Sequence, residues 1–177
     1  MRTLLFALSL VLLTGCKQSS EKNNATSTDP DPVSIYYLIR HAEKDRSDPE
    51  NKDPSLTPEG ERRAAFWADY FKQYSLDAVY SSDYARTRQT AMPTAAVQGL
   101  QLNLYQPRKL YSPEFLTQTK GQQVLIVGHS NTIPALVNQL IQEERFSDID
   151  DTDNASLFIV SIQGEKTEVE RKSIDLP

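Results

Sequence analysis

The sequence predicts an α/β fold, a three-layer α/β/α sandwich around a mostly parallel central sheet. Two observations carry that expectation. Short β-branched and aromatic runs alternate with segments of helical periodicity, the pattern of a sheet covered on both faces. Two of those runs, 33–39 and 124–127, lead into the only two histidines of the chain, His41 and His129. Open α/β sheets bind ligands at the carboxyl ends of their strands, so two imidazoles at two strand ends point to a site.

The elements follow in order. Val33 to Ile39 reads as a strand, and His41 to Leu56 as a polar loop broken by Pro49 and Pro54. Thr57-Pro58-Glu59 starts a helix: a hydroxyl cap, proline at the first position and an acid in the first turn. Ala64, Trp67, Ala68 and Phe71 then recur at helical spacing and give that helix one buried face. Asp77–Ser81 is a short strand. Tyr84 to Gln98 is a helix perturbed near Pro93, and Leu100–Leu104 a further strand. A short helix is expected from Ser112 to Lys120 and a buried strand over Gln123–Val127. Asn131 to Gln142 places Ile133, Leu136, Val137, Leu140 and Ile141 on one helical face. Pro134 is tolerated in the first turn of that helix. Ser156–Ile162 and Thr167–Lys172 close the sheet.

Before the folded part lies a different kind of sequence. Residues 1–15 have a cationic start and an apolar stretch from Leu4 to Leu13, too short to cross a bilayer core of roughly 30 Å. Leu13-Thr14-Gly15-Cys16 resembles the bacterial lipobox, which implies export and lipidation of Cys16. Lys17 after the cysteine, by resemblance to Gram-negative sorting, favours the outer membrane and the periplasmic side. Residues 16–32 are rich in Ser, Asn, Thr and Asp, without a large apolar residue. They read as a flexible tether with a reach of roughly 20–25 Å. Residues 33–177 form one domain.

Composition excludes several functions. A net charge of −5 argues against general nucleic-acid binding, which needs clustered excess Lys and Arg. A single cysteine leaves no intramolecular disulfide and no cysteine-rich zinc site. With that charge, tethering to a membrane falls to the lipid anchor.

Three motifs carry the chemistry: Arg40-His41 after the first strand, Ser81-Ser82-Asp83-Tyr84-Ala85-Arg86-Thr87-Arg88 in the middle, and Gly128-His129-Ser130 after a later strand. In order and spacing they resemble the histidine phosphatase superfamily, first branch, the phosphoglycerate mutase-like group. The resemblance spans Val33 to the C-terminus. It implies a phosphatase acting on a phosphomonoester or phosphoramidate through a phosphohistidine on His41, without metal or organic cofactor.

The residues suit that reading. A transferring phosphoryl group spreads charge over its equatorial oxygens, so catalysis is mainly positioning and electrostatic stabilisation. Arg40 and Arg86 offer planar forks that bind phosphate bidentately. Neighbouring arginines oppose protonation of His41 and keep its lone pair free. His129 donates to a nonbridging oxygen. Asn131 and the following helix start add donors, and Glu43 and Lys44 line the entrance or pair with each other. Arg88 is peripheral. The two arginines repel any cation that the histidines alone would attract.

The sequence departs from the family at Arg40-His41-Ala42, where glycine is common in the third place. It departs again over Leu102-Asn103-Leu104-Tyr105-Gln106-Pro107-Arg108, where many members carry the glutamate that protonates the leaving group. Glu114 and Asp83 are the candidate substitutes. The pattern is closer to small phosphohistidine phosphatases, whereas export argues against a cytoplasmic signalling substrate. With no room for a lid, an open site is expected, admitting phosphorylated small molecules, glycans, lipid head groups or proteins. Two other readings stand beside this one. Gly128-His129-Ser130-Asn131-Thr132 approaches a serine-hydrolase elbow, but no histidine follows Ser130. A lipid-anchored phosphate-binding module without turnover would keep the same pocket.

Overall fold

The computed structural model describes residues 30–175; the apolar leader, Cys16 and residues 17–29 of the expected tether lie outside them. The compact unit starts at Asp31. The Asp31 carboxylate pairs with Lys120 at 3.1 Å, and its carbonyl accepts from Gln163 at 2.9 Å. Among the described residues no helix is long and apolar enough to cross a membrane.

Strands β1 (Ser34–Arg40), β2 (Ala78–Ser82), β3 (Leu102–Tyr105), β4 (Gln123–Gly128), β5 (Ser156–Gln163) and β6 (Lys166–Ser173) form one sheet in the order β3-β2-β4-β1-β5-β6. The first four are parallel, and β5 and β6 add antiparallel at one edge. Helices α1 (Pro58–Tyr70) and α2 (Ala85–Gln98) cover one face, and α3 (Pro113–Gln118) and α4 (Thr132–Ile141) the other. This is the three-layer α/β fold expected from the sequence.

The period of two along the strands sets the two cores. Tyr36, Leu38, Val124 and Ile126 face α4 and α3 and meet Phe115, Ile133, Leu136 and Val137. Tyr37, Ile39, Leu125 and Val127 face α1 and α2 and meet Trp67, Phe71, Ala91 and Ala95. Ala64, Trp67 and Ala68 are buried on α1, as their spacing predicts. The Thr57 hydroxyl caps α1 by accepting from the Gly60 amide at 3.1 Å. A single 3₁₀ turn, Phe71–Gln73, follows α1 and buries Phe71. Helix α2 buries Thr87, Thr90, Ala91, Thr94 and Ala95, a stripe of small side chains beneath α1. It continues through Pro93 without a break, and Gly99 ends it at φ 67°, where glycine has no steric penalty.

The chain leaves β1 toward one face of the sheet and leaves the adjacent β4 toward the other. The carboxyl ends of β1 and β4 therefore flank the crevice where doubly wound sheets bind ligands.

Candidate active site

Both histidines stand in that crevice because of strand register. Ile39 pairs with Val127 and Arg40 with Gly128, and the His41 amide continues the ladder by donating to the Gly128 carbonyl at 2.9 Å. His41 and His129 thus follow Ile39 and Val127 onto the α2 side. Their ring centroids are 5.6 Å apart. Gly128 is required between them: a Cβ there would fall 2.8 Å from both Ile133 Cδ1 and the Tyr105 hydroxyl.

His41 is held on all sides. Its Nδ1 lies 2.8 Å from the Ala42 carbonyl, which can only accept, so Nδ1 carries the proton and Nε2 keeps the lone pair. The His41 carbonyl accepts from Asn154 at 2.7 Å, and the Ala42 amide donates to Thr90 Oγ1 at 2.9 Å. Gly60 of α1 packs so closely on the Glu43 backbone that no side chain fits there. Burial first, then the charges of Arg40 and Arg86, push the His41 pKa down to about 3, although the Ala42 bond opposes the shift.

His129 sits at the end of a hydroxyl chain. Its Nε2 is 2.9 Å from Ser82 Oγ, which donates to Thr87 Oγ1 at 3.1 Å; that hydroxyl donates to the Ser82 carbonyl at 2.6 Å. The one hydroxyl proton of Ser82 is used on Thr87, so His129 Nε2 is the donor and Nδ1 faces Arg86 at 3.5 Å. Burial and then Arg86 lower the His129 pKa to about 4. The Tyr84 ring packs edge-on to His129 at 4.9 Å and carries the Arg86 guanidinium on its face at 4.5 Å.

Arg40, 2% exposed, faces the opposite way in the pleat and is clamped by the loop before β5. Its Nη1 donates to the Asp150 and Asp153 carbonyls at 2.8 and 3.1 Å, and its Nη2 pairs with Asp151 at 2.6 Å. The buried Nε of Arg40, with Nε and Nη1 of Arg86, has no hydrogen-bond partner. Asp53 Oδ1 is 3.5 Å from Arg86 Nη1, too far for a hydrogen bond, and instead accepts from the Ala85 amide at the start of α2. Three buried, unpartnered guanidinium nitrogens beside two imidazoles suit a bound anion.

The pocket encloses about 440 Å³ and is lined by Arg40, His41, Lys44, Tyr84, Arg86 and His129, with Arg108, Asn131 and Asp148 toward its mouth. Arg108 and Asp148 are exposed, so the site opens to solvent. The sequence-predicted residues divide here. His41, His129, Arg40, Arg86 and Asn131 converge, and Asn131 occupies the cap position of α4 without a side-chain cap bond. Glu43 does not line this pocket; it is taken by Arg63, whose Nε and Nη2 both lie 2.7 Å from its Oε1. Glu114 is exposed in the first turn of α3, and Asp83 pairs with Arg88, so neither lines the pocket. Among the described residues no three His, Cys, Asp or Glu side chains gather as a metal-ligand set.

Ser82, Tyr84, Thr90 and the loop from Asp148 to Asn154 escaped the sequence reading. The signal for the loop was present: four aspartates between Asp148 and Asp153 await a cation, and Arg40 is it. Thr90 is four residues after Arg86, hence on the same helical face.

The model of the histidine phosphatase superfamily (branch 1) matches residues 36–106, which include Arg40, His41 and Arg86. No curated protein matches the sequence. Among solved structures, one assigned as phosphohistidine phosphatase SixA from Nakamurella multipartitia is 26% identical, with TM-score 0.56, covering 84% of this chain and 99% of that one. A SixA structure from Agrobacterium tumefaciens is 23% identical, with TM-score 0.59, covering 79% and 98%. Phosphoglycerate mutase from Bacillus anthracis str. Sterne is 16% identical, with TM-score 0.62, covering 82% and 95%. The last two share the fold. Over residues 36–106 the chain is thus similar to the histidine phosphatase superfamily (branch 1), and that likeness, on this fold and with both histidines and both arginines drawn to one crevice, supports a phosphatase enzyme.

Proposed function

We propose that the chain hydrolyses a phosphomonoester or phosphoramidate in two steps through a phosphohistidine on His41. One observation carries this reading: His41 Nε2 is left with a free lone pair, beside buried guanidinium donors, because Nδ1 is spent on the Ala42 carbonyl. In the first step Nε2 attacks phosphorus in line. The P–Nε2 bond forms as the bond to the leaving oxygen or nitrogen breaks, and the leaving group takes up a proton from the solvent that the open mouth admits. In the second step water attacks phosphorus, the P–Nε2 bond breaks, and phosphate departs with His41 neutral again. Arg40, Arg86 and His129 hold the equatorial oxygens; the phosphate dianion offsets the desolvation that keeps His129 neutral, so His129 binds it as a cation.

The kinship to SixA structures supports a phosphoramidate among the substrates. The open mouth supports substrates larger than a sugar phosphate, including phosphorylated glycans, lipid head groups and proteins. The proposal extends to place: Leu13-Thr14-Gly15-Cys16 supports export, lipid attachment at Cys16 and residence in a bacterial envelope, on the outer membrane facing the periplasm in a Gram-negative host. Incorporation of labelled palmitate, lost in Cys16→Ser, tests that part.

The reaction is tested by phosphate release from phenyl phosphate and a phosphohistidine peptide, with acid- and alkali-quenched labelling of the protein. Release, together with an alkali-stable, acid-labile label, both absent in His41→Ala, is expected. Phosphate binding without release from either substrate would mark a binding module.

A further inference from the structure

Beside the phosphate pocket lies a second, smaller cavity of about 140 Å³. Tyr105, Leu110, Tyr111, Ala135 and Leu136 give it aromatic and aliphatic walls. Two residues, Arg108 and Thr132, line both spaces, so the cavities meet there. Thr132 is fixed by accepting from the His129 amide at 3.0 Å. A cavity of this size in an apolar wall fits one ring: engineered apolar cavities of about 150 Å³ take up benzene.

Arg108 is one of two described non-glycine residues with positive φ, at 64°. It is the third residue of a turn closed by Lys109 donating to the Gln106 carbonyl at 3.0 Å, with Pro107 second. Turns of this form favour glycine or asparagine at that position, because a Cβ crowds the backbone. An arginine held there, at the junction of two cavities, is the kind of local strain found where a side chain serves a ligand. Neither Glu114 nor Asp83, the acids expected to protonate the leaving group, lines the pocket. Ring leaving groups such as phenolates depend less on a proton donor than alkoxides do.

The geometry points to a leaving-group subsite: Arg108 and the cavity beyond it receive one flat ring bonded to the transferred phosphoryl group. Arg108 is the specificity residue, lying along the ring as its guanidinium leaves the solvent. The preferred substrates are then aryl-type phosphoryl donors, not alkyl ones. This inference rests on the phosphatase reading above.

Phenylphosphonate and methylphosphonate are the probes, because they bind without turning over. Titration calorimetry of the full chain should show phenylphosphonate binding at least tenfold more tightly. Ala135→Leu fills the cavity from an exposed position on α4 and should bring that ratio close to one. Arg108→Gly should lower the ratio several-fold without lowering the thermal midpoint, since glycine suits the turn. Equal affinities in the wild type, or a ratio that Ala135→Leu leaves untouched, would overturn the subsite. Hydrolysis of phenyl phosphate is measured in parallel. Ring-selective binding without hydrolysis supports the subsite and overturns the phosphatase reading; hydrolysis without selectivity does the reverse.

Discussion

His41 and His129 are successive in space because they occupy the same rung beyond the β1–β4 ladder. Ile39 lies opposite Val127 and Arg40 opposite Gly128, so the next residues bring their rings to 5.6 Å. A one-residue slip would send one imidazole to the α4 face and separate the pair. The geometry of the candidate site is thereby tied to the burial of Tyr37, Ile39, Leu125 and Val127, the same alternation that packs α1 and α2 on the sheet.

The hydroxyl chain from His129 through Ser82 to Thr87 orients an imidazole that has no carboxylate hydrogen-bond partner among the described residues. Ser82→Ala leaves a buried ring N–H unsatisfied, at a cost of about 1–3 kcal/mol. It should lower kcat/KM about tenfold. Imidazole nitrogen NMR should show the Nε2–H form of His129 in the wild type and a mixture in the variant. An unchanged tautomer would mean that Ser82 does not set it.

Acid should destabilise the ligand-free domain through both histidines. Each has a folded pKa below its ordinary 6.5, about 3 for His41 and about 4 for His129. Below pH 6.5 the unfolded chain therefore binds protons that the folded chain refuses. Stability is fully present above that pH and is lost as the pH falls toward 4. Two such groups remove about 3–4 kcal/mol between pH 6.5 and 5. Urea midpoints across that range should drop accordingly, and inorganic phosphate should flatten the slope by favouring a cationic His129.

Glu43 contributes to the fold through Arg63, and its substitution should act on stability. The pair is largely buried, at 20% and 11% side-chain exposure, and links the loop after His41 to α1. Glu43→Gln should cost about 2–3 kcal/mol, because it leaves the Arg63 charge poorly compensated. KM for phenyl phosphate should stay within about twofold. A large rise in KM with an unchanged thermal midpoint would instead make Glu43 a substrate contact.

Two carboxylates line the pocket, Asp148 and Asp151. Asp151 is bound to Arg40 and Arg46, whose charges outweigh partial burial and hold its pKa below the usual range, so it has no proton to give. Asp148 has no ion-pair partner among the described residues. Asp148 is exposed to water, and Asp148→Asn should change kcat by less than about threefold on both methyl and phenyl phosphate. A loss of about a hundredfold confined to methyl phosphate would instead make Asp148 a proton donor and remove one ground for the aryl preference.

What the sequence determined by itself was local. Alternation in β1 and β4, the Thr57-Pro58 helix start and the spacing of Ala64, Trp67 and Ala68 are encoded within a few residues of each other, so elements and fold class were readable. So were His41, His129, Arg40 and Arg86, because their motifs sit at strand and helix ends that periodicity locates. Only the tertiary structure decided which partners each charge would find. Arg40 reaches past its own motif to Asp150, Asp151 and Asp153; Glu43 turns to Arg63 on α1; Ser82 and Thr87 anchor His129; and Arg108 comes to stand beside Thr132. Each pairing joins segments far apart in the chain, and the pattern of one segment carries no record of the charge or hydroxyl that another will present to it.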